Sequence, residues 1–224
     1  MTYLNIMNNV LRRLREEEVN SVNDSTYSKM AGDFINDAKT IVEQAADWSA
    51  LRSSIDVVAG FYLGDDFLGS TSAVITNSGD DAKILSAYIS SENIRLEYQT
   101  KDWFIDNLDL GPSPYPQGIP RYYTFNGINA DEDTQIRVYP QPDARYVISF
   151  DLIKRQNELT NDADVLKVPS KPVIHLAVAL LARERGETGG TSTAEYFSIA
   201  DKYLSDAIAI DAAKHPEEMV FRTI

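Results

Sequence analysis

Ala46-Asp47-Trp48-Ser49-Ala50-Leu51-Arg52-Ser53-Ser54-Ile55-Asp56-Val57-Val58-Ala59-Gly60 is the stretch on which the reading of the fold turns. Up to Trp48 the apolar residues recur at helical spacing. From Arg52 onward, β-branched and aromatic residues come in short runs broken by Gly, Asn, Asp and Pro. Before the break, Met30, Phe34, Ala38, Ile41, Ala45 and Trp48 form one stripe, predicting a helix that starts near Ser25 to Ser28 and ends at Asp47-Trp48-Ser49. Trp48 at its end is expected to plug the core between helix and sheet. Earlier still, Leu4, Met7, Val10, Leu11 and Leu14 share a face of a helix over 3–15, whose other face carries Asn8, Asn9, Arg12 and Arg13. Between the two helices, Asn20 to Ser25 is rich in side chains that bond their own backbone, and a loop is expected.

After the break, 55–63, 72–76, 94–99, 121–126, 135–139 and 146–154 read as strands. The segment 82–91 fits a strand or a helix, and 101–108 fits a short helix carrying Trp103 and Phe104. Between Gly111 and Pro120 stand Pro112, Pro114, Pro116 and Gly118; prolines lack the donor an interior ladder needs, so an extended, exposed loop is predicted. Helical spacing returns after Pro169, with Ser170 placed to cap and Pro172 in the first turn. Val173, Leu176, Ala177, Leu180 and Leu181 form its core face as far as Arg185. Gly186 and Gly189-Gly190 stop that helix, and Ser192 or Thr193 starts the next, with Phe197, Ala200, Leu204, Ala207 and Ile208 inward until His215-Pro216. The expected fold is α+β and mainly α: a four-helix bundle (1–51 and 170–216) with an inserted β-rich domain (52–169) and a C-terminal tail (217–224). Helices from both ends of the chain would then share one core.

With 43% hydrophobic residues among 224, the chain can bury one sizeable core or two small ones. The absence of cysteine excludes disulfides and thiolate chemistry. No basic stretch followed by an apolar one opens the sequence, and no apolar run approaches the roughly 18 residues of a membrane span, so neither a signal peptide nor a membrane is expected. The 34 acids against 21 bases give a net charge of -13, and residues 52–169 hold 18 of those acids with 10 bases. A surface of that sign repels phosphate backbones.

Catalytic patterns are sparse. His175 and His215 have no neighbouring pattern of metal ligands, and His175 reads as a hydrogen-bonded packing residue on an apolar helix. The glycine-rich run from Gly186 to Thr193 has no lysine after its Gly pair and joins two helices, unlike a phosphate-binding loop. Asp65-Asp66, Asp80-Asp81 and Asp131-Glu132-Asp133 are adjacent acids that diverge on extended backbone, so they read as solvated turn residues. No catalytic, cofactor-binding or metal-binding residue is assigned, and the chain is expected to be no enzyme and to need no cofactor.

One resemblance runs along most of the chain. It is carried by Trp48 at the end of the second helix, Gly118-Ile119-Pro120-Arg121-Tyr122-Tyr123, Val138-Tyr139-Pro140-Gln141-Pro142, Tyr146 and Val168-Pro169. Pro172-Val173-Ile174 and Leu180-Leu181-Ala182-Arg183-Glu184-Arg185 follow on the penultimate helix. In order and spacing the chain resembles the head-to-tail adaptor proteins of tailed bacteriophages, the tail tubular A type included. The resemblance implies a homo-oligomeric ring, a dodecamer, docked on the portal protein at the head–tail junction of the virion. It implies contact with tail or nozzle proteins, DNA passing through the channel without specific binding, and no membrane. Within that picture, apolar Met219, Val220, Phe221 and Ile224 are the expected portal contact. Pro112, Pro114, Tyr115 and Pro116 are the expected contact to the tail or an adjacent subunit, since extended proline-rich backbone loses little entropy on docking. The alternatives are another virion tail or neck protein, a carbohydrate-active tail enzyme with two facing carboxyls, and a monomeric binding module.

Overall fold

The computed structural model describes residues 1–63, 66–69, 73–76, 78–79, 82–111, 115–131, 133–186 and 192–214. Its elements run α1 (Tyr3–Arg13), α2 (Thr26–Ala45), β1 (Arg52–Ala59), β2 (Phe61–Leu63), β3 (Asp66–Gly69), β4 (Ala73–Ile75), β5 (Ala82–Ile89) and β6 (Ile94–Tyr98). There follow α3 (Lys101–Phe104), β7 (Tyr122–Ile128), β8 (Thr134–Tyr139), β9 (Tyr146–Lys154), α4 (Ser170–Glu184) and α5 (Ser192–Ala212). They divide into two units: Met1–Leu51 with Gln156–Ile224, and Arg52–Arg155.

In the first unit α4 is the hub. Val173, Ile174 and the run from Ala177 to Ala182 are buried on nearly every side of it. It packs against α1, α2 and α5, while α5 leans chiefly on α4. Pro169 stands at its N-cap and makes no side-chain bond there, so Ser170 is the first helical residue and not the cap. By contrast, Ser25 closes a reciprocal capping box with Ser28 at the start of α2.

The expected face of α2 is rotated. Ala31, Gly32, Ile35, Ala38 and Val42 are buried together with Ser28, Lys39 and Glu43, whereas Met30 and Phe34 are half-buried and Ile41 is 46% exposed. The small residues set this orientation because they admit α1 closely: a Cβ on Gly32 would run into the Tyr3 hydroxyl. Trp48 is buried in this unit, its Nε1–H donating to the Val42 carbonyl at 2.7 Å.

Residues 156–169 tie the unit together without regular structure. Tyr3 N–H donates to the Asp164 carbonyl (2.8 Å), Leu4 N–H to that of Asp162 (3.2 Å) and Leu166 N–H to that of Met1 (3.0 Å). The Asp162 carboxylate accepts from Val22 N–H at 2.8 Å. Asn36 grips the backbone of Leu159 in both directions, donating to its carbonyl at 3.1 Å and accepting from its N–H at 2.9 Å.

The second unit is a seven-stranded sheet in the order β1-β9-β5-β6-β7-β8-β4, with β2 and β3 as a separate hairpin. All its ladders are antiparallel except β6 with β7. Among the described residues the two edge strands, β1 and β4, lie against each other without a ladder, so the sheet curls around its inner face. Val57, Ala87, Leu96, Ile136, Ile148 and Phe150 are among the residues buried there. Strict alternation on β8, with Thr134, Ile136 and Val138 buried, marks a strand packed on one face. The ambiguous segment 82–91 is strand β5, with a register shift between Ile84 and Ser86.

A mainly helical four-helix bundle with an inserted β-rich domain is therefore not what forms. Among the described residues there are five α-helices and a seven-stranded mixed sheet. A bundle requires each helix to turn one apolar stripe to a shared axis, but α4 is buried on nearly every side and becomes the centre.

Candidate assembly surfaces

The chain between β6 and β7 makes the crossover that a parallel pair requires, and it builds the first surface. Thr100 caps α3 by accepting from Trp103 N–H at 3.3 Å, and a π-helical turn over Ile105–Asp109 follows. Phe104 and Leu108 are buried, and Trp103 sits against Tyr122 and Tyr139 with ring centroids 5.0 and 5.3 Å away. Arg137 on β8 clamps this segment with a two-pronged bond to Asp109, at 2.9 and 2.6 Å. The bond from Arg137 holds the Asp109 carboxyl below the usual range, and the same bond raises Arg137.

The proline-rich loop is only partly free. Gly118 N–H donates to the Gln141 carbonyl at 2.9 Å, Gln141 N–H to that of Pro116 at 3.1 Å, and Arg121 N–H to that of Tyr139 at 2.9 Å. Its second half is thus stitched beside the exit of β8, next to the cis Tyr139-Pro140 bond. Pro116 is half-buried, and Tyr115, 44% exposed, projects from the fixed end. Leu110 at the other end is 76% exposed. Of the four residues singled out in the loop, Tyr115 and Pro116 are brought together; Pro112 and Pro114 lie outside the described residues. Met219, Val220, Phe221 and Ile224 lie outside them too.

A second surface belongs to α4 and α5. Between them opens a groove of about 380 Å³, lined by Pro169, Lys171, Pro172, Tyr203, Asp206 and Ile210 among others. His175 stacks on Tyr203 at 4.4 Å and 17°, and Lys171 Nζ lies 5.8 Å from the same ring. Burial first, then the charges of Arg13 and Lys171, push the His175 pKa down. Asp211 ties the end of α5 to Ser49, accepting from its N–H at 2.8 Å and its hydroxyl at 2.7 Å. Burial would raise Asp211, but the bonds from Ser49 and Lys214 outweigh it and hold the carboxyl low.

Among the described side chains of α5, Ala200 alone is fully buried. Phe197, Leu204, Ala207 and Ile208 are half-buried toward α4, and Ile199 and Ile210 are 42% and 66% exposed. Reading the helix as having one inward stripe misses the apolar residues on its other side. The same holds for α2, where Ile41 was expected inward. The signal available was two apolar sectors on one helix, with Ala31, Gly32, Ile35 and Val42 making the sector that is buried.

Two of the acids singled out in the sequence are turn residues. Asp131 and Asp133 sit in a turn in which the Asn129 side chain accepts from both their N–H groups, at 3.0 and 2.7 Å. Asp133 in turn accepts from Gly79 N–H at 2.9 Å. Asp65, Asp80, Asp81, Glu132, His215 and residues 187–191 lie outside the described residues. Among the described residues no group of His, Asp or Glu could hold a metal ion, and no helix is long and apolar enough to cross a membrane.

No curated protein sequence matches the chain. A family model described as SU10 adaptor protein matches residues 1–219. Because that match runs through every element described above, the chain belongs to the SU10 adaptor family, a family of phage head-to-tail adaptor proteins.

Proposed function

We propose that copies of this chain assemble as a ring, a dodecamer, beneath the portal, join capsid to tail, and line the channel through which DNA passes. The family is one of structural virion components associated with portal and tail proteins. The match over residues 1–219 carries the reading, since it includes both units of the chain. Support comes from α4, which packs helices from both ends of the chain into one rigid piece fit to be a ring wall. A net charge of -13 suits a channel that DNA must traverse without sticking.

In this reading Met219, Val220, Phe221 and Ile224 seat against the portal. Deleting 219–224 is expected to abolish capture by immobilised portal, and full recovery in that pull-down would remove the assignment. Pro112, Pro114, Tyr115 and Pro116 face the tail or the adjacent subunit. Replacing the three prolines with Ser should weaken tail attachment while leaving the thermal melt of the monomer unchanged. Negative-stain images of the purified protein with and without portal test the whole reading: rings stacked on the portal are expected, and unbound monomers in both samples would overturn it.

A further inference from the structure

The groove between α4 and α5 has walls that are already in place. Pro169 and Pro172 fix the backbone on one side, and on the other the Tyr203 ring is held flat against His175, at 4.4 Å and 17°. With Ala207 and Ile210 they make a largely apolar hollow of about 380 Å³. Among its described lining residues the charged ones are Lys171 and Asp206, both exposed, so no converging set of buried polar groups is there to orient a small molecule. A piece of apolar chain fits such a hollow.

The sequence supplies that piece where the chain leaves α5. The Asp211 carboxylate is bonded to Ser49, and Lys214 N–H donates to the Asp211 carbonyl at 3.0 Å, so residues 215–224 depart from a fixed point one turn beyond Ile210. His215-Pro216 comes next, and a residue before proline avoids the helical region, which lets the chain fold back. The lengths match. Along the helix axis Lys214 lies about 6 Å from Ile210, and Ile210 about 10 Å from Tyr203. Extended chain at about 3.3 Å per residue covers the first distance with Glu217 and Glu218 and the second with Met219, Val220 and Phe221, the three apolar residues in succession. Arg222, directly after them, brings a cation to Asp206, the acid on the groove rim.

We propose that this groove is the seat of the chain's own 215–224 segment, with Met219 to Phe221 folded back over Ile210, Ala207 and Tyr203. The consequence rests on the portal reading above: the apolar residues assigned to the portal are shielded in the groove until the portal competes for them, so the two contacts exclude each other.

The natural sequence has no cysteine, so engineered pairs report the contact in the full-length chain. Val220→Cys is combined with Asp206→Cys, on the groove, or with Ser205→Cys, an exposed neighbour that does not line it; circular-dichroism melts check folding. With oxidised glutathione, the Asp206 pair is expected to close an intramolecular disulfide about tenfold faster than the Ser205 pair, read by mass spectrometry. Adding Phe221→Ser, a change outside both helices, should bring the two rates together. Immobilised portal is then expected to capture the reduced chain and not the locked one. Equal closing rates, or disulfides that form between chains instead of within one, overturn the groove contact; if the reduced chain is still captured, the portal assignment stands without it. Fast closure with equal capture of locked and reduced chains does the reverse, keeping the groove contact and removing the portal assignment.

Discussion

Lys39 and Glu43 lie one helical turn apart at 2% and 1% side-chain exposure, 3.5 Å from each other, and Lys39 Nζ also donates to the Gln156 carbonyl at 2.6 Å. Two charges taken from water are tolerable only as a pair, so the loss of one is felt more than the loss of both. Lys39→Met should destabilise by about 3–5 kcal/mol in denaturant unfolding, and adding Glu43→Leu should recover most of that. A double variant no more stable than the single one would show that the pair does not act as a unit. Carboxamides do comparable service by bonding backbone in both directions: Asn8 to Val19 at 3.0 and 2.9 Å, and Gln156 to Val165 and Lys167 at 2.7 and 3.0 Å. His175 adds a pH dependence. Its folded pKa lies below the ordinary 6.5, so the unfolded chain binds the proton first. Its contribution is complete above about pH 6.5 and is lost as pH falls through the folded value. Wild type should therefore lose more melting temperature between pH 7.5 and 5.5 than His175→Gln does; equal losses would refute the assignment.

Among the elements, the contact of α1 with α2 is the most sharply specified. Tyr3 is buried at the start of α1, and burial, then the charges of Asp33, Glu158 and Asp164, push its pKa up to about 12. Its hydroxyl occupies the space above Gly32. Gly32→Ala should thus destabilise by about 1–3 kcal/mol through overpacking, although alanine is the better helix former by about 1 kcal/mol. With Tyr3→Phe the space opens, and the same substitution should become neutral or stabilising. The double-mutant cycle in thermal melts checks this, and equal effects in the two backgrounds would show that the hydroxyl does not set the approach.

On the scale of the whole molecule, net charge limits what the chain can bind. A chain with a net charge of -13 has little with which to displace counterions from a duplex. Fluorescence anisotropy with a labelled DNA duplex at about 0.15 M salt should show affinity weaker than about 100 µM, the soft end of ordinary non-specific binding. Micromolar binding would contradict the proposed lining of a DNA channel. Each of the two units also has its own packing: a curled sheet around an apolar inner face, and helices gathered on α4.

Much of this was legible in the sequence because it depends on neighbours in the chain. The change of period at Arg52, the strands rich in β-branched residues, the Pro and Gly stops, the buried Trp48 and the adaptor family all follow from local spacing and motif order. What the tertiary structure alone decided concerns partners far apart in sequence. Which sector of α2 is buried depends on where Tyr3 finds room over Gly32, and that contact is invisible to periodicity because Met30, Phe34 and Ile41 make an equally good stripe. Residues 156–169 look like linker until Asp162, Asp164 and Leu159 are seen holding the first two helices. Strand order and the central place of α4 likewise come from long-range packing, where burial on nearly every side beats any single amphipathic face.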